Sequence, residues 1–124
     1  MRFAKIVFLV AGIWGVVLLA PLYFMIDLIG RNDPPPITHP AFFYGFAGLG
    51  LAWQVAFFII ARDPVRFRPI MIPSILEKIG YGGAVVALYA QGRMQVQDLA
   101  FGLADLLFAV LFACAYVMVQ EKRT

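Results

Sequence analysis

Five ionisable residues lie within or beside long apolar runs of this sequence: Asp27, Glu77, Lys78, Asp98 and Asp105. A charged side chain at the centre of a lipid bilayer costs about 2.5–3.5 kcal/mol on insertion scales, so it usually has a partner or a function. Asp105 lies deepest, inside the apolar run of residues 99–119. There its carboxyl group must be protonated, hydrogen-bonded or facing water. Such a group can bind a ligand, conduct protons or join two helices.

The other four ionisable residues have simpler interpretations. Ser74 and Glu77 match the capping box of a helix start, with serine as the N-cap and glutamate three residues later. The side chain of Lys78 can extend along its helix and place the ammonium group at the inner membrane surface. Asp98 can be the N-cap of the last helix. Asp27 falls at the outer end of the first apolar run, where water is near.

Several polar residues are predicted to share the outer half of the protein, away from both termini. If a binding cavity is present, we expect it to open outward between the helices in this half. The candidate ligand-binding residues are Asp105, Asp98, Asp27, Tyr44, Gln91 and His39. Gln54 and Glu77 are instead expected to be polar helix-packing residues, since amides and carboxyls form hydrogen bonds between helices in lipid.

The elements that position these residues are predicted from composition. Of the 124 residues, 63% are hydrophobic and 14% are charged, whereas soluble chains have about 45–50% apolar and about 25% charged residues. A span needs about 20 predominantly apolar residues, and four segments qualify, at about 6–29, 41–61, 74–91 and 99–119. The chain is therefore predicted to be an all-α integral membrane four-helix bundle, a single domain over residues 1–124. Pro21 is expected to kink the first span, which we interpret as a retained helix and not a cleaved signal peptide.

The basic residues predict the orientation of the four spans. Seven of the ten Lys and Arg residues belong to the termini and the middle loop, namely Arg2, Lys5, Arg62, Arg66, Arg68, Lys122 and Arg123. By the positive-inside rule, both termini and this loop face the cytoplasm of a multi-pass protein. Arg62, Arg66 and Arg68 are expected to contact lipid headgroups. The net charge of +3 thus reflects membrane orientation, and no nucleic acid partner is predicted.

Two stripes of small and polar residues predict how the third and fourth spans pack. They comprise Glu77, Gly80, Ala84, Ala87 and Gln91 on span three, and Asp98, Gly102, Asp105, Ala109 and Phe112 on span four. Spacings of three and four residues place each stripe on one helix face, and small residues let helices approach closely in lipid. We expect a hairpin that turns near Met94 and Gln95, with Asp105 level with Ala84.

Several classes of site lack the residues that they need. With one cysteine, Cys114, and one histidine, the sequence offers no zinc spacing and no intramembrane haem ligand pair. Phosphate-binding loops, dinucleotide fingerprints and Ser-His-Asp sets are not present as motifs. No metal or cofactor is predicted, and no catalytic residue can be named, so the chain is not predicted to be an enzyme, although the sequence leaves this open.

Residues 38–91 resemble a family of short bacterial inner-membrane proteins with four helices and no assigned activity. The resemblance lies in THPAFFYG at residues 38–45, WQ at 53–54, DPVRFRP at 63–69 and PSILEK at 73–78. It implies a four-helix protein of the bacterial inner membrane. In size and number of spans the chain is also similar to the DoxX-like proteins, a likeness of architecture that transfers no residues.

Three functional hypotheses follow. In the first, the protein acts by helix packing, as a homo-oligomer or as an accessory subunit of a membrane complex; small residues of span two, Gly45, Gly48, Ala52 and Ala56, offer a further packing face. The alternative is a binder of, or an enzyme on, a small lipophilic molecule in an outward-opening pocket around Asp105. The third is an oligomer that conducts protons or ions through Asp105.

Overall fold

The computed structural model describes residues 2–32 and 35–123, with the side chains of the last helix described as far as residue 119. The described part of the chain is helical and contains no strand. The α-helices are α1 (Arg2–Leu19), α2 (Ile26–Asn32), α3 (Pro40–Arg62), α4 (Met71–Ala90) and α5 (Val96–Arg123). Two 3-10 segments, Ala20–Phe24 and Arg68–Ile70, precede α2 and α4.

Four helical segments are long and apolar enough to cross a membrane: Arg2–Phe24, Pro40–Arg62, Arg68–Ala90 and Val96–Val119. This confirms the prediction of an all-helical chain with four candidate spans. The first span changes from α-helix to 3-10 helix at Ala20, immediately before Pro21. Proline has no N–H to donate to the preceding turn, so the α-helix is interrupted at the place where the kink was predicted.

The predicted helix starts at Ser74 and Asp98 are wrong. Helix α4 begins at Met71, and the Ser74 hydroxyl donates to the carbonyl oxygen of Ile70 at 2.7 Å, inside the helix. A serine can satisfy its hydroxyl in this way within a helix and then does not act as a cap. Asp98 lies within the first turn of α5, two residues after Val96. There its negative charge interacts favourably with the positive end of the helix dipole.

The helices pack as two hairpins, α1 with α3 and α4 with α5. The hairpins meet through the apolar core, in which the ring of Phe8 stacks on Phe112 at 4.1 Å between centroids and meets Phe57 edge-on at 6.0 Å. The core also includes Ala4, Val7, Ala11, Ile60, Met71, Ala115 and Val119. All of these residues lie in the half of the bundle where α1 begins and α5 ends, which we call the termini end. The opposite half, with the connecting residues 35–39 and 91–95, is the loop end.

The predicted hairpin of the third and fourth spans is confirmed, but the predicted face of α4 is wrong. Gly82, and not Gly80, approaches α5 most closely, opposite the backbone of Gly102. A methyl group at Gly102 would in turn overlap the side chain of Val85, whereas one at Gly80 would meet open space. The buried residues of α4 therefore follow Ser74, Lys78, Gly82 and Val85. On α5 the predicted stripe is largely confirmed, since Gly102, Ala109 and Phe112 are buried.

Adjacent glycines of α4 provide a matched test of this packing. A Cβ at Gly82 would lie 2.8 Å from the carbonyl oxygen of Gly102, a backbone atom that cannot rotate away, whereas a Cβ at Gly83 would have no neighbour within 4 Å. We expect Gly82→Ala to destabilise the protein by about 1–3 kcal/mol through overpacking. Gly83→Ala should be neutral or stabilise by up to about 1 kcal/mol. Unfolding of both variants in detergent micelles measures the difference, and equal stabilities would contradict the packing of α4 on α5.

Candidate functional site

A cavity of about 320 Å³ lies between the two hairpins. It is built by α1, the 3-10 segment that follows it, α3, α4 and α5. Since the apolar core fills the termini end, the cavity extends from mid-bundle toward the loop end. Its lining residues are Trp14, Gly15, Leu18, Leu19, Leu22, Phe43, Phe46, Gly50, Gln54, Glu77, Lys78, Tyr81, Phe101 and Asp105.

Most of the cavity wall is apolar and aromatic. Phe46 of α3 stacks on Tyr81 of α4, with ring centroids 6.0 Å apart, and so joins two helices that otherwise contact each other little. Trp14 of α1 and Phe101 of α5 contribute further aromatic surface. Pockets for small molecules typically combine such walls with a few convergent polar groups, in volumes of about 300–1,000 Å³. This cavity falls at the lower end of that range.

A buried ion cluster forms the polar part of the lining. The ammonium group of Lys78 lies 3.5 Å from Asp105 Oδ1 and 3.8 Å from Glu77 Oε2. The same nitrogen lies over the rings of Phe57 and Phe108, at 5.2 and 5.6 Å from their centroids. Lys78 lies seven residues into α4, and Asp105 nine residues into α5. At 1.5 Å per residue these are depths of about 10 and about 14 Å from opposite ends of the bundle.

The expectation that Lys78 extends to the membrane surface is wrong. The residue is 3% exposed, because it lies on the packing face of α4 between Ser74 and Gly82 and points into the bundle. Its ammonium group finds two carboxylates and two aromatic faces there, which replace the water that it has lost. Asp105 lies closer to the level of Gly82, which packs between Gly102 and Leu106, than to that of Ala84 as predicted, and the Lys78 side chain reaches it from about one turn away.

Gln54, in the wall of the cavity, carries an unpartnered hydrogen-bond acceptor. Its side chain is 1% exposed, and its Nε2 donates to the carbonyl oxygen of Gly50 within α3 at 2.7 Å. Because a carbonyl only accepts, the amide must turn its NH₂ group toward Gly50. The Oε1 atom is then buried without a hydrogen-bond partner, as is Oε2 of Glu77. The predicted interhelical hydrogen bond of Gln54 is therefore wrong.

Gly15 of α1 makes room for this amide. A Cβ at Gly15 would overlap the carboxamide of Gln54, so only glycine permits the observed approach of α1 to α3 at this level. Gly15 and Gln54 both line the cavity. The position of the free acceptor therefore depends on two helices of the same hairpin.

Some of the predicted site residues line the cavity and others do not. Of the candidate ligand-binding residues, Asp105 lines the cavity, together with Gln54 and Glu77, which were predicted as packing residues. The other candidates lie elsewhere at the loop end: Asp27 and His39 are exposed, Tyr44 stacks on Tyr23, Gln91 accepts from Arg93, and Asp98 lines a small surface depression with residues 92–95. The cavity thus lies deeper between the helices than those residues.

Lys78, Trp14 and Tyr81 are cavity residues that were not predicted. For Lys78 a periodic pattern was present, because Ser74, Lys78 and Gly82 recur at intervals of four residues and share a helix face. Two small residues flanking a lysine on one face indicate that the face packs against another helix. For Trp14 and Tyr81 the surrounding sequence contains no comparable pattern.

The arginines predicted to contact headgroups lie at the termini end. The Nε of Arg68 donates to the carbonyl oxygen of Tyr116 at 2.9 Å, and its guanidinium group lies 3.5 Å from the centre of that ring. Arg68 therefore ties the start of the third span to α5. Arg62 and Arg66 are exposed, which leaves their side chains accessible to headgroups.

No protein-family model, curated protein or solved structure matches this chain in the comparisons made. The resemblance of residues 38–91 stays a prediction. The chemistry of the cavity must therefore be inferred from its own geometry.

Removal of Lys78 tests the ion cluster. We expect Lys78→Met to destabilise the protein by about 3–5 kcal/mol, because it leaves buried carboxylates without a cation. Adding Glu77→Gln and Asp105→Asn to that variant should recover most of the loss. Lys5→Met, at an exposed lysine of α1, is the control and should change stability by less than about 0.5 kcal/mol. Unfolding curves in detergent measure the stability of all three variants. If Lys78→Met left the stability unchanged, the ion pairs would not support the fold.

Proposed function

We propose that this protein resides in the bacterial inner membrane and binds a small lipophilic molecule in the cavity between its hairpins. One observation carries the proposal: Gln54 lines the cavity, and the Oε1 atom of its buried side chain has no hydrogen-bond partner. An unsatisfied buried acceptor costs about 1–3 kcal/mol. A bound molecule that donates a hydrogen bond to it would recover that free energy.

The shape of the cavity supports an amphipathic ligand. Its apolar body would lie among aromatic side chains such as Phe46, Tyr81 and Phe101, and its polar group would lie near Gln54 and Glu77. The apolar surroundings continue into lipid, since Phe46 is 48% and Phe101 41% exposed. Binding is favoured over catalysis because Lys78, the amine in the lining, is engaged by two carboxylates.

Native mass spectrometry after purification in mild detergent tests the proposal. We expect the protein to carry a small-molecule adduct that is lost or reduced in Gln54→Met, which keeps the side-chain volume but removes the acceptor. Gln91→Met is the matched control, since Gln91 is exposed and outside the cavity, and should retain the adduct. Equal adducts in both variants, or none in the unmodified protein in either detergent or lipid nanodiscs, would refute the proposal.

A second candidate function is self-association or attachment to another membrane subunit. It is favoured by the outer face of α4, where a Cβ at Gly80 or Gly83 would meet no atom within 4 Å. Leu76 and Ile79 beside them are 63% and 46% exposed. Glycine strips of this kind let a second helix approach closely in lipid. The same native spectra would report a dimer or a foreign subunit by its mass.

We infer that both termini and the loop at residues 63–70 face the cytoplasm. The distribution of exposed basic residues supports this orientation, with Arg2, Lys5, Arg62 and Arg66 at the termini end and Arg31 and Arg93 at the loop end.

Cysteine labelling tests the orientation, because Cys114 is the only cysteine and Cys114→Ser gives a clean background. Val65→Cys and Val96→Cys replace exposed valines at opposite ends of the bundle. A membrane-impermeant maleimide should label the second variant in spheroplasts, and the first only after the membrane is opened. Labelling of Val65→Cys in intact spheroplasts would reverse the assigned orientation.

A further inference from the structure

We propose that the molecule held in the cavity carries a positively charged amine, so that the ligand class is a lipophilic ammonium ion. This inference rests on the proposed binding function and names the chemistry of the ligand head. It is carried by the balance of charge in the lining, by the balance of donors and acceptors, and by the aromatic walls.

The ion cluster contains more negative than positive groups. Glu77 and Asp105 supply two carboxylates, and Lys78 supplies one ammonium group within 4 Å of both. When all three are ionised, one negative charge is uncompensated within the cluster. The side chain of Glu77 is 22% exposed, that of Asp105 14% and that of Lys78 4%. Water therefore compensates this charge poorly. A cationic ligand head would balance the charge.

The hydrogen-bonding groups of the lining also favour a cationic head, because the groups without partners are acceptors. Gln54 Oε1 and Glu77 Oε2 are buried acceptors without hydrogen-bond partners. Lys78 directs its ammonium group to the two carboxylates. The remaining polar hydrogens of the lining belong to Trp14, Tyr81 and the Nε2 of Gln54, which donates to Gly50. An ammonium group has up to three donors and no acceptor. This matches the free amide oxygen of Gln54 and the carboxylate of Glu77, whose Oε2 lies 3.8 Å from the Lys78 ammonium group, beyond hydrogen-bonding distance.

The aromatic walls are compatible with a cation. Trp14, Phe46 and Tyr81 line the cavity, and the faces of such rings attract a nearby ammonium group. A carboxylate head would instead meet two carboxylates and the negative faces of the rings. A neutral hydroxyl could satisfy an acceptor but would leave the charge uncompensated. These three head groups are therefore distinguishable by affinity.

Three probes with one body and different heads test the inference: 4-(4-bromophenyl)butan-1-amine, the corresponding butan-1-ol and the corresponding butanoic acid. The protein has two tryptophans, of which Trp14 lines the cavity and Trp53 does not. In the Trp53→Phe variant, saturable quenching of Trp14 by the bromine reports occupancy of the cavity. Trp14→Phe, which keeps Trp53, measures quenching by probe dissolved in the uncharged micelle.

We expect the amine to bind about tenfold more tightly than the alcohol, because hydrogen bonds from a charged donor are about twice as strong as neutral ones. The acid should bind more weakly than either. Glu77→Gln removes the excess charge but leaves Lys78 paired with Asp105, and it should bring the amine and the alcohol to within about twofold. Gln54→Met should weaken both by a similar factor, since it removes an acceptor and no charge.

The outcomes separate this inference from the proposed function. Saturable binding of all three probes with equal affinity, or strongest binding of the acid, would overturn the cationic head and leave the binding cavity standing. The same holds if Glu77→Gln leaves the preference for the amine intact. Absence of saturable quenching by any probe in the Trp53→Phe variant would overturn the binding function itself, and the inference with it.

Discussion

A lysine ammonium group buried in a membrane protein needs negative partners at a fixed distance, and here they determine how two helices pack. Lys78 of α4 reaches Asp105 of α5 at 3.5 Å. A shift of one helical turn, about 5.4 Å, that moves Lys78 away from Asp105 would separate the pair and leave both charges in an apolar environment. The close approach of Gly82 to Gly102 belongs to the same register. The ion pair and the glycine contact therefore require the same register of α4 against α5.

The position of this cluster also explains where the cavity lies. Between the cluster and the termini end, stacked rings of Phe8, Phe57 and Phe112 fill the space between the hairpins. Phe57 additionally supplies a ring face to Lys78, so the apolar core and the ion cluster adjoin. Toward the loop end no comparable ring cluster is among the lining residues of the cavity. The cavity is the volume that remains there, bounded by Phe46 and Tyr81.

Features that depend on composition and local chemistry could be predicted from the sequence. The four spans follow from apolar length, the break at Pro21 from a missing N–H, and the α4–α5 hairpin from small and polar residues at helical spacing. The packing face of α4 could not be predicted, because glycines at 80, 82 and 83 point in three directions. The choice among them depends on Lys78 finding Asp105 on another helix. Asp105 was recognised as a cavity residue from its depth, whereas the free oxygen of Gln54 depends on Gly15 of a separate helix.

Stability alone gives no reason for the polar lining. Replacing a buried ion pair with well-packed apolar residues is often neutral or stabilising by about 1–4 kcal/mol. The free acceptor of Gln54 adds a cost of about 1–3 kcal/mol, which methionine of similar volume would avoid. The ion pair could still be explained as a device that specifies the register of the hairpin. That explanation does not extend to Gln54, because its hydrogen bond stays within α3 and joins no two helices. A donor from outside the chain would satisfy this buried acceptor, and this is the physical reason for proposing a ligand.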